Sequence, residues 1–217
     1  MDIPTVKALV FDMDGTLAAT EPLHMDAWLT VLGNHGMEVD EDWFQQWVGL
    51  SDAILAASVV NDYDLGVGQE TLQHEKRTLF WAKARSSAEL FPGVLDGLSA
   101  LRQKYPIALC TSSSDKDAEA VFSNTGLDQF FETIVTSDRV ANLKPDPSPY
   151  LLACRELGMN PAQCVALEDS PAGVTAAKRA GLYVIGLTTS KEPEELKGAH
   201  IIFPETRQAM DWILELQ

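Results

Sequence analysis

Basic residues are scarce in this chain. Lysine and arginine number 16 against 32 aspartates and glutamates, giving a formal net charge of −16 over 217 residues and a pI near 4.5. That balance argues against non-specific nucleic-acid binding, which rests on phosphate neutralisation by Lys and Arg, and against an anionic membrane surface as partner. An anionic small molecule stays open, because a site can be locally positive in a negative protein. Cysteine is also sparse: Cys110, Cys154 and Cys164 form no CxxC pair and are odd in number. A disulfide framework or a zinc site is not expected, and buried free thiols in a reducing compartment are the simpler reading. No apolar run approaches the ~20 residues of a membrane span. Residues 1–7 lack the basic-then-apolar pattern of a signal peptide, so a cytoplasmic protein is expected. Repeats and low-complexity segments are missing too. What remains is an ordinary globular composition, 46% hydrophobic and 22% charged, long enough for one core and a small accessory domain.

Short apolar runs alternate with amphipathic segments. Ala8 to Phe11 is a continuous apolar run, as in a strand buried on both faces. Further strands are predicted at Ile107–Cys110, Thr133–Thr136, Cys164–Leu167, Tyr183–Gly186 and His200–Phe203. Between them, Ala118, Val121 and Phe122 recur at helical spacing before a stop at Gly126, and Tyr150, Ala153, Cys154 and Leu157 before Gly158. Ser170 fits an N-cap, with Pro171 at the first helical position and Gly181 as the terminator. This alternation implies an α/β fold with a doubly wound parallel sheet. The rhythm breaks between Glu21 and Glu89, where no strand is evident. Four of the five tryptophans, Trp28, Trp43, Trp47 and Trp81, lie in that stretch, which reads as an all-helical insertion with its own core. The predicted division is 1–19 and 90–217 for the sheet domain and 20–89 for the insertion. The apolar C-terminal segment around Met210, Trp212 and Ile213 is expected to pack on the sheet.

Ligands of open parallel sheets bind beyond the carboxyl ends of the strands. Asp12, Asp14, Gly15 and Thr16 follow the first strand, Thr111 to Ser114 the second, Lys144-Pro145 the third at some distance, and Glu168-Asp169 the fourth. A lone aspartate there is commonly a turn or cap residue. Four carboxylates at one edge repel each other unless they gain protons or hold a cation. The donors are all oxygens, which favours a hard ion such as Mg²⁺ over zinc. Lysine and hydroxyls beside such an ion form a pocket for a phosphoryl group, and an aspartate can act as a nucleophile towards phosphorus.

Asp12-Met13-Asp14-Gly15-Thr16 resembles the DxDGT signature of the haloacid dehalogenase superfamily. Thr111, Lys144-Pro145 and Glu168-Asp169 match its remaining motifs in order, over nearly the whole chain. The insertion resembles the cap of the subgroup containing β-phosphoglucomutase and small sugar-phosphate phosphatases. The resemblance implies a Rossmann-like core, with Asp12 as nucleophile and Asp14 as general acid and then base. It implies Mg²⁺ held by Asp12, Asp169 and the Asp14 carbonyl, with Glu168 contributing directly or through another ligand, and phosphoryl oxygens bound by Thr111, Ser112 and Lys144. Dehalogenases of the superfamily lack the second aspartate, so Asp14 points to phosphate chemistry.

The cap is expected to set substrate choice. Thr20 and His24 fall where related enzymes have a hinge and a cap-side polar group, although a half-exposed helix histidine is an equal reading of His24. Lys76 or Arg77 could reach the substrate, but a solvated helix charge is the plainer reading of each. The mutases carry a Gly-x-x-Arg cap loop whose arginine binds a second phosphate. The corresponding residues here are Gly49-Leu50-Ser51-Asp52, and a carboxylate would repel a second phosphate. Ser51 and Asp52 also read simply as the start of a helix. The expected function is a Mg²⁺-dependent phosphatase of small phosphorylated metabolites acting as a monomer, with a β-phosphoglucomutase-type isomerase as alternative. A phospho-accepting signalling module is a distant third, since receiver domains are far shorter and lack the helical insertion.

Overall fold

A computed structural model of the chain describes residues 5–47, 51–63 and 65–216. Among these, six strands form one parallel sheet in the order β3-β2-β1-β4-β5-β6. They are β1 (Ala8–Phe11), β2 (Ile107–Cys110), β3 (Thr133–Val135), β4 (Cys164–Glu168), β5 (Tyr183–Leu187) and β6 (Ile201–Phe203). β1 lies between β2 and β4, so the chain departs on either side of it, and the carboxyl ends of β1, β2 and β4 open on the same edge.

Period-two alternation divides the apolar strand residues between two faces. Leu9, Phe11, Leu109, Val165 and Ile185 enter one buried cluster. It is covered by α5 (Val94–Arg102), α6 (Asp115–Thr125) and α9 (Thr206–Glu215). Ala8, Val10, Ala108, Ala166 and Val184 enter the other, under α7 (Ser148–Glu156) and α8 (Pro171–Ala180). Met210 and Ile213 of α9 are fully buried, which is the packing their spacing predicts. Cys110, Cys154 and Cys164 are free and buried.

Between β1 and α5 lie α1 (Glu21–Asn34), α2 (Glu41–Phe44), α3 (Asp52–Asp62) and α4 (Gln69–Ser87), with no strand among the described residues. Trp28, Val31, Leu32, Phe44, Leu55, Val59 and Leu72 form a third, separate apolar cluster. The entering and leaving segments run side by side: the Ala19 amide donates to Glu89 O at 2.9 Å and the Phe91 amide to Leu17 O at 3.0 Å. α4 has a double role. It packs on α1 and α3, and also on α6, sending Phe80 and Ala84 into the sheet-domain cluster. The Trp81 indole donates to Asp117 at 2.7 Å across that contact. No helix among the described residues is long and apolar enough to cross a membrane.

Candidate active site

The turn after β1 brings the first acidic residues to the sheet edge. Met13 O accepts from the amides of Leu17 and Ala18 at 2.8 and 2.9 Å, which folds the chain back over Asp14 and Gly15. Gly15 has φ +74°, in the left-handed region, and a β-carbon there would fall on the Asp169 carboxylate. Only glycine meets both conditions. Gly173, in the first turn of α8, meets the second condition alone: a side chain there would occupy the place of the Glu168 carboxylate. Ser170 caps that helix, accepting from the Gly173 amide at 3.0 Å.

Lys144 reaches under the sheet edge and spends three hydrogen bonds there. Its ammonium donates to Asp12 Oδ1 at 2.5 Å, Glu168 Oε1 at 2.6 Å and the Cys110 carbonyl at 2.8 Å. The Tyr150 hydroxyl adds a donor to Glu168 Oε1 at 2.6 Å, and the Ser170 hydroxyl donates to Oε2 at 3.0 Å. Both Glu168 oxygens are therefore occupied. Asp169 accepts from the Thr16 hydroxyl at 3.1 Å and from the Ser190 hydroxyl. Asp12, Glu168 and Asp169 each place a carboxylate oxygen within 4.8 Å of the others.

One lysine faces three buried carboxylates, and the imbalance shows in their proton affinities. Burial, only partly offset by Lys144 and reinforced by Glu168, Asp169 and Asp14, holds the Asp12 carboxyl well above its ordinary range. Burial and then Glu168 push Asp169 up to about 7, against the hydroxyls of Ser190 and Thr16. Burial would strip the proton from Lys144, but Asp12 and Glu168 outweigh it and keep the ammonium charged well beyond its usual pH. A set of close, all-oxygen, over-negative donors fits a small hard dication, which would lower both carboxyl pKa values.

The Asp14 side chain stands apart from that trio. Its Oδ1 accepts from Thr20 at 2.7 Å, and its Oδ2 from the hydroxyls of Ser113 at 2.6 Å and Thr111 at 3.2 Å. It faces the cleft between the sheet edge and the helical insertion, as does the exposed Ser112. Thr20 is buried at the entry to α1, so Asp14 is tied both to the loop after β2 and to the start of the insertion.

Across the cleft, His24, Trp28, Asp52 and Lys76 line the opposing wall. Lys76 is 2% exposed and is not a solvated charge, whereas Arg77 is exposed. Ser51 does precede α3, but no side-chain cap bond forms there. Asp52 turns instead to Lys76 and Trp28. Gly49 lies outside the described residues. The sequence reading passed over Ser113, Ser190 and Tyr150 as individual site residues. Ser113 sat within a visible hydroxyl run. Tyr150 shows only as one of the residues at helical spacing before Gly158, and its ring is buried in the core; nothing local marks Ser190.

Burial first, and then the Lys76 ammonium, pull the His24 imidazole down from 6.5 to about 4. A histidine with a depressed folded pKa contributes stability that is complete above its unfolded value. That contribution is lost as pH falls from 6.5 towards 4, where only the unfolded chain binds the extra proton. In an NMR titration the His24 ring protons should therefore stay at their neutral shifts down to pH 5. A midpoint near 6.5 would contradict this environment.

A family model for haloacid dehalogenase-like hydrolases matches residues 6–181, and the chain belongs to that family of enzymes. It is 33% identical over 174 residues to fructose-1-phosphate phosphatase YqaB of Escherichia coli, covering 80% of this chain and 92% of the relative. It is 28% identical over 218 residues to β-phosphoglucomutase of Bacillus subtilis, covering 97% and 93%. Among solved structures, CbbY from Rhodobacter sphaeroides in complex with phosphate superposes with a TM-score of 0.79 at 29% identity, covering 93% of this chain and 95% of that one.

Proposed function

We propose that the protein is a Mg²⁺-dependent phosphatase of small phosphomonoesters, sugar phosphates foremost, working through an aspartyl-phosphate on Asp12. The observation that carries this reading is the pairing of two differently held aspartates. Asp12 is fixed by Lys144 at the floor of the site, and Asp14 is held by neutral hydroxyls at the cleft. An oxygen of Asp12 attacks phosphorus, and the bond from phosphorus to the leaving oxygen breaks. Asp14, protonated in this step, gives its proton to the departing alkoxide. Asp14 then takes a proton from water as that water attacks the phosphoryl group, so inorganic phosphate leaves and Asp12 is restored. Lys144, Thr111 and the amide of Ser112 are the proposed partners of the phosphoryl oxygens.

The side chains of Asp12 and Asp169 and the carbonyl of Asp14 would hold the cation, which supplies charge neutralisation between nucleophile and phosphoryl oxygens. Glu168, with both oxygens engaged by Lys144, Tyr150 and Ser170, is assigned to fixing Lys144. Residues 20–89 act as the cap that closes over the substrate and excludes water. One chain carries all these groups, in keeping with a monomer. The three buried thiols suit a reducing, cytoplasmic setting.

Phosphate release from hexose 1- and 6-phosphates, pentose phosphates, nucleotides and an aryl phosphate tests the proposal. Release from sugar phosphates should fall by about two orders of magnitude or more when excess chelator is added. No release from any ester by folded protein in Mg²⁺ would sink it. The likeness to β-phosphoglucomutase over nearly the whole chain supports a second reading. It is measured as conversion of β-glucose 1-phosphate to glucose 6-phosphate primed by a bisphosphate.

A further inference from the structure

The wall opposite the catalytic carboxylates carries a closed polar trio. Lys76, on α4, uses all three of its hydrogens: on Asp52 Oδ1 at 2.9 Å, Asp52 Oδ2 at 2.7 Å and His24 Nδ1 at 2.7 Å. The Trp28 indole adds a second donor to Asp52 Oδ1 at 2.8 Å. The His24 ring lies flat on Phe80, with centroids 4.0 Å apart and planes 9° from parallel. Because Nδ1 accepts from Lys76, the imidazole proton sits on Nε2. The ammonium and the carboxylate cancel, so the trio is neutral as a unit.

This arrangement fixes what the wall can bind. Lys76 has no hydrogen left for a phosphate unless it gives up a bond to Asp52 or to His24, and a phosphate that reached it would still lie against the Asp52 carboxylate, which repels it. Asp52, about one-third exposed on its side chain, keeps acceptor capacity on Oδ2, and His24 offers a donor at Nε2. Trp28, Phe44 and Leu55 line the same cleft of about 550 Å³. Trp47 lines it too, with an indole N–H that has no partner among the described residues. A neutral donor and acceptor set among aromatic faces suits a polyhydroxylated ring with alternating hydroxyl and C–H surfaces. It does not suit a second dianion. Lys191, the third lysine lining the cleft with Lys76 and Lys144, follows β5 on the sheet-domain side, and its charge acts on Glu21.

We propose that the Asp52–Lys76 pair, with His24, is a specificity filter that accepts the uncharged hydroxyl-bearing end of a sugar monophosphate and rejects bisphosphates. The inference rests on the phosphatase reading and adds to it the charge state of the substrate's far end. Asp52 is its determinant: without that carboxylate the same wall presents a free cation.

The test compares wild type with Asp52→Asn on an aryl phosphate, a hexose monophosphate and a hexose bisphosphate. Wild type should favour the monophosphate over the bisphosphate by about tenfold or more in kcat/KM. Asp52→Asn should move that ratio about tenfold or more towards the bisphosphate, mainly through KM, because Lys76 is no longer neutralised. A purely structural role would lower both sugars in parallel and leave the ratio unmoved, which overturns the filter while the phosphatase stands. Absence of turnover on all three esters in wild type overturns the phosphatase reading and the filter with it. Should Asp52→Asn not fold, competition against aryl phosphate turnover in wild type decides. The bisphosphate must inhibit about tenfold more weakly than the monophosphate, and equal or tighter inhibition overturns the proposal.

Discussion

Asp12→Asn is expected to abolish turnover, by about four orders of magnitude or more, while the protein keeps its fold and its thermal midpoint. The two halves of this expectation have separate causes. An amide has no anionic oxygen to attack phosphorus, and no neighbouring group stands in the same place. Glu168 is engaged at both oxygens, and Asp14 is held towards the cleft by Thr20, Thr111 and Ser113. The fold should survive because asparagine is isosteric and keeps the oxygen that accepts from Lys144. It also removes one negative charge from a buried cluster in which Asp12 already holds its proton well above the ordinary range. Stability should therefore be unchanged or slightly raised. Asp12→Glu makes the complementary case. It retains the carboxylate but moves it by about one bond length, and misplacement on that scale costs on the order of 10²-fold. Steady-state phosphate release and a thermal melt on the same samples check both. An active Asp12→Asn protein would remove Asp12 from the nucleophile's role.

The groups that could be read from the sequence are those that a strand end fixes. Asp12, Asp14, Thr111 and Asp169 fall within three residues of the ends of β1, β2 and β4, and Glu168 is the last residue of β4. A parallel sheet brings those ends together whatever the loops do. The strands themselves are visible as short apolar runs, and the observed ones differ by only a residue at some ends: β4 and β5 run one residue further because Glu168 pairs with Gly186 and Leu187 with Phe203. Lys144 lies nine residues beyond β3, so the strand end points to it only loosely, and the family resemblance adds its role on the phosphoryl oxygens. What could not be read is what depends on side chains meeting across unrelated elements. Lys76 sits among polar neighbours on α4 and looks like a solvated charge. It is buried because Asp52 and His24, from α3 and α1, arrive at its ammonium. Tyr150 has the spacing of a core residue and is one, but its hydroxyl reaches Glu168. Ser190 follows β5, and no pattern near it announces the bond to Asp169.

Lys144→Met should cost the sheet domain a large part of its stability, as well as about three orders of magnitude in activity. Among the described residues Lys144 is the one cation bonded to the carboxylates at the floor of the site, and its side chain is 4% exposed between Asp12 at 9% and Glu168 at 0%. Methionine fills the volume but leaves those carboxylates unpaired, and breaking a buried pair from one side costs about 3–5 kcal/mol. For a chain of this length that is a fall of about 10 °C in the midpoint. The deficit should depend on pH in a fixed direction. Without Lys144, the Asp12 pKa rises further above its unfolded value of 3.8. A carboxyl with a raised folded pKa costs nothing below its unfolded value, costs progressively more as pH climbs from there to the folded pKa, and levels off above it, so the variant, with the higher folded pKa, goes on losing stability after wild type has levelled off. The variant should therefore sit closer to wild type at pH 5 than at pH 8. Added Mg²⁺ should narrow the gap at pH 8, because the site without Lys144 carries one more uncompensated negative charge and so binds the dication at Asp12 and Asp169 more tightly than wild type does. Thermal melts at both pH values, with Mg²⁺ and with chelator, give the four midpoints required. A deficit that neither pH nor Mg²⁺ alters would mean that Lys144 supports the fold by packing alone and that the carboxylates are balanced by other means.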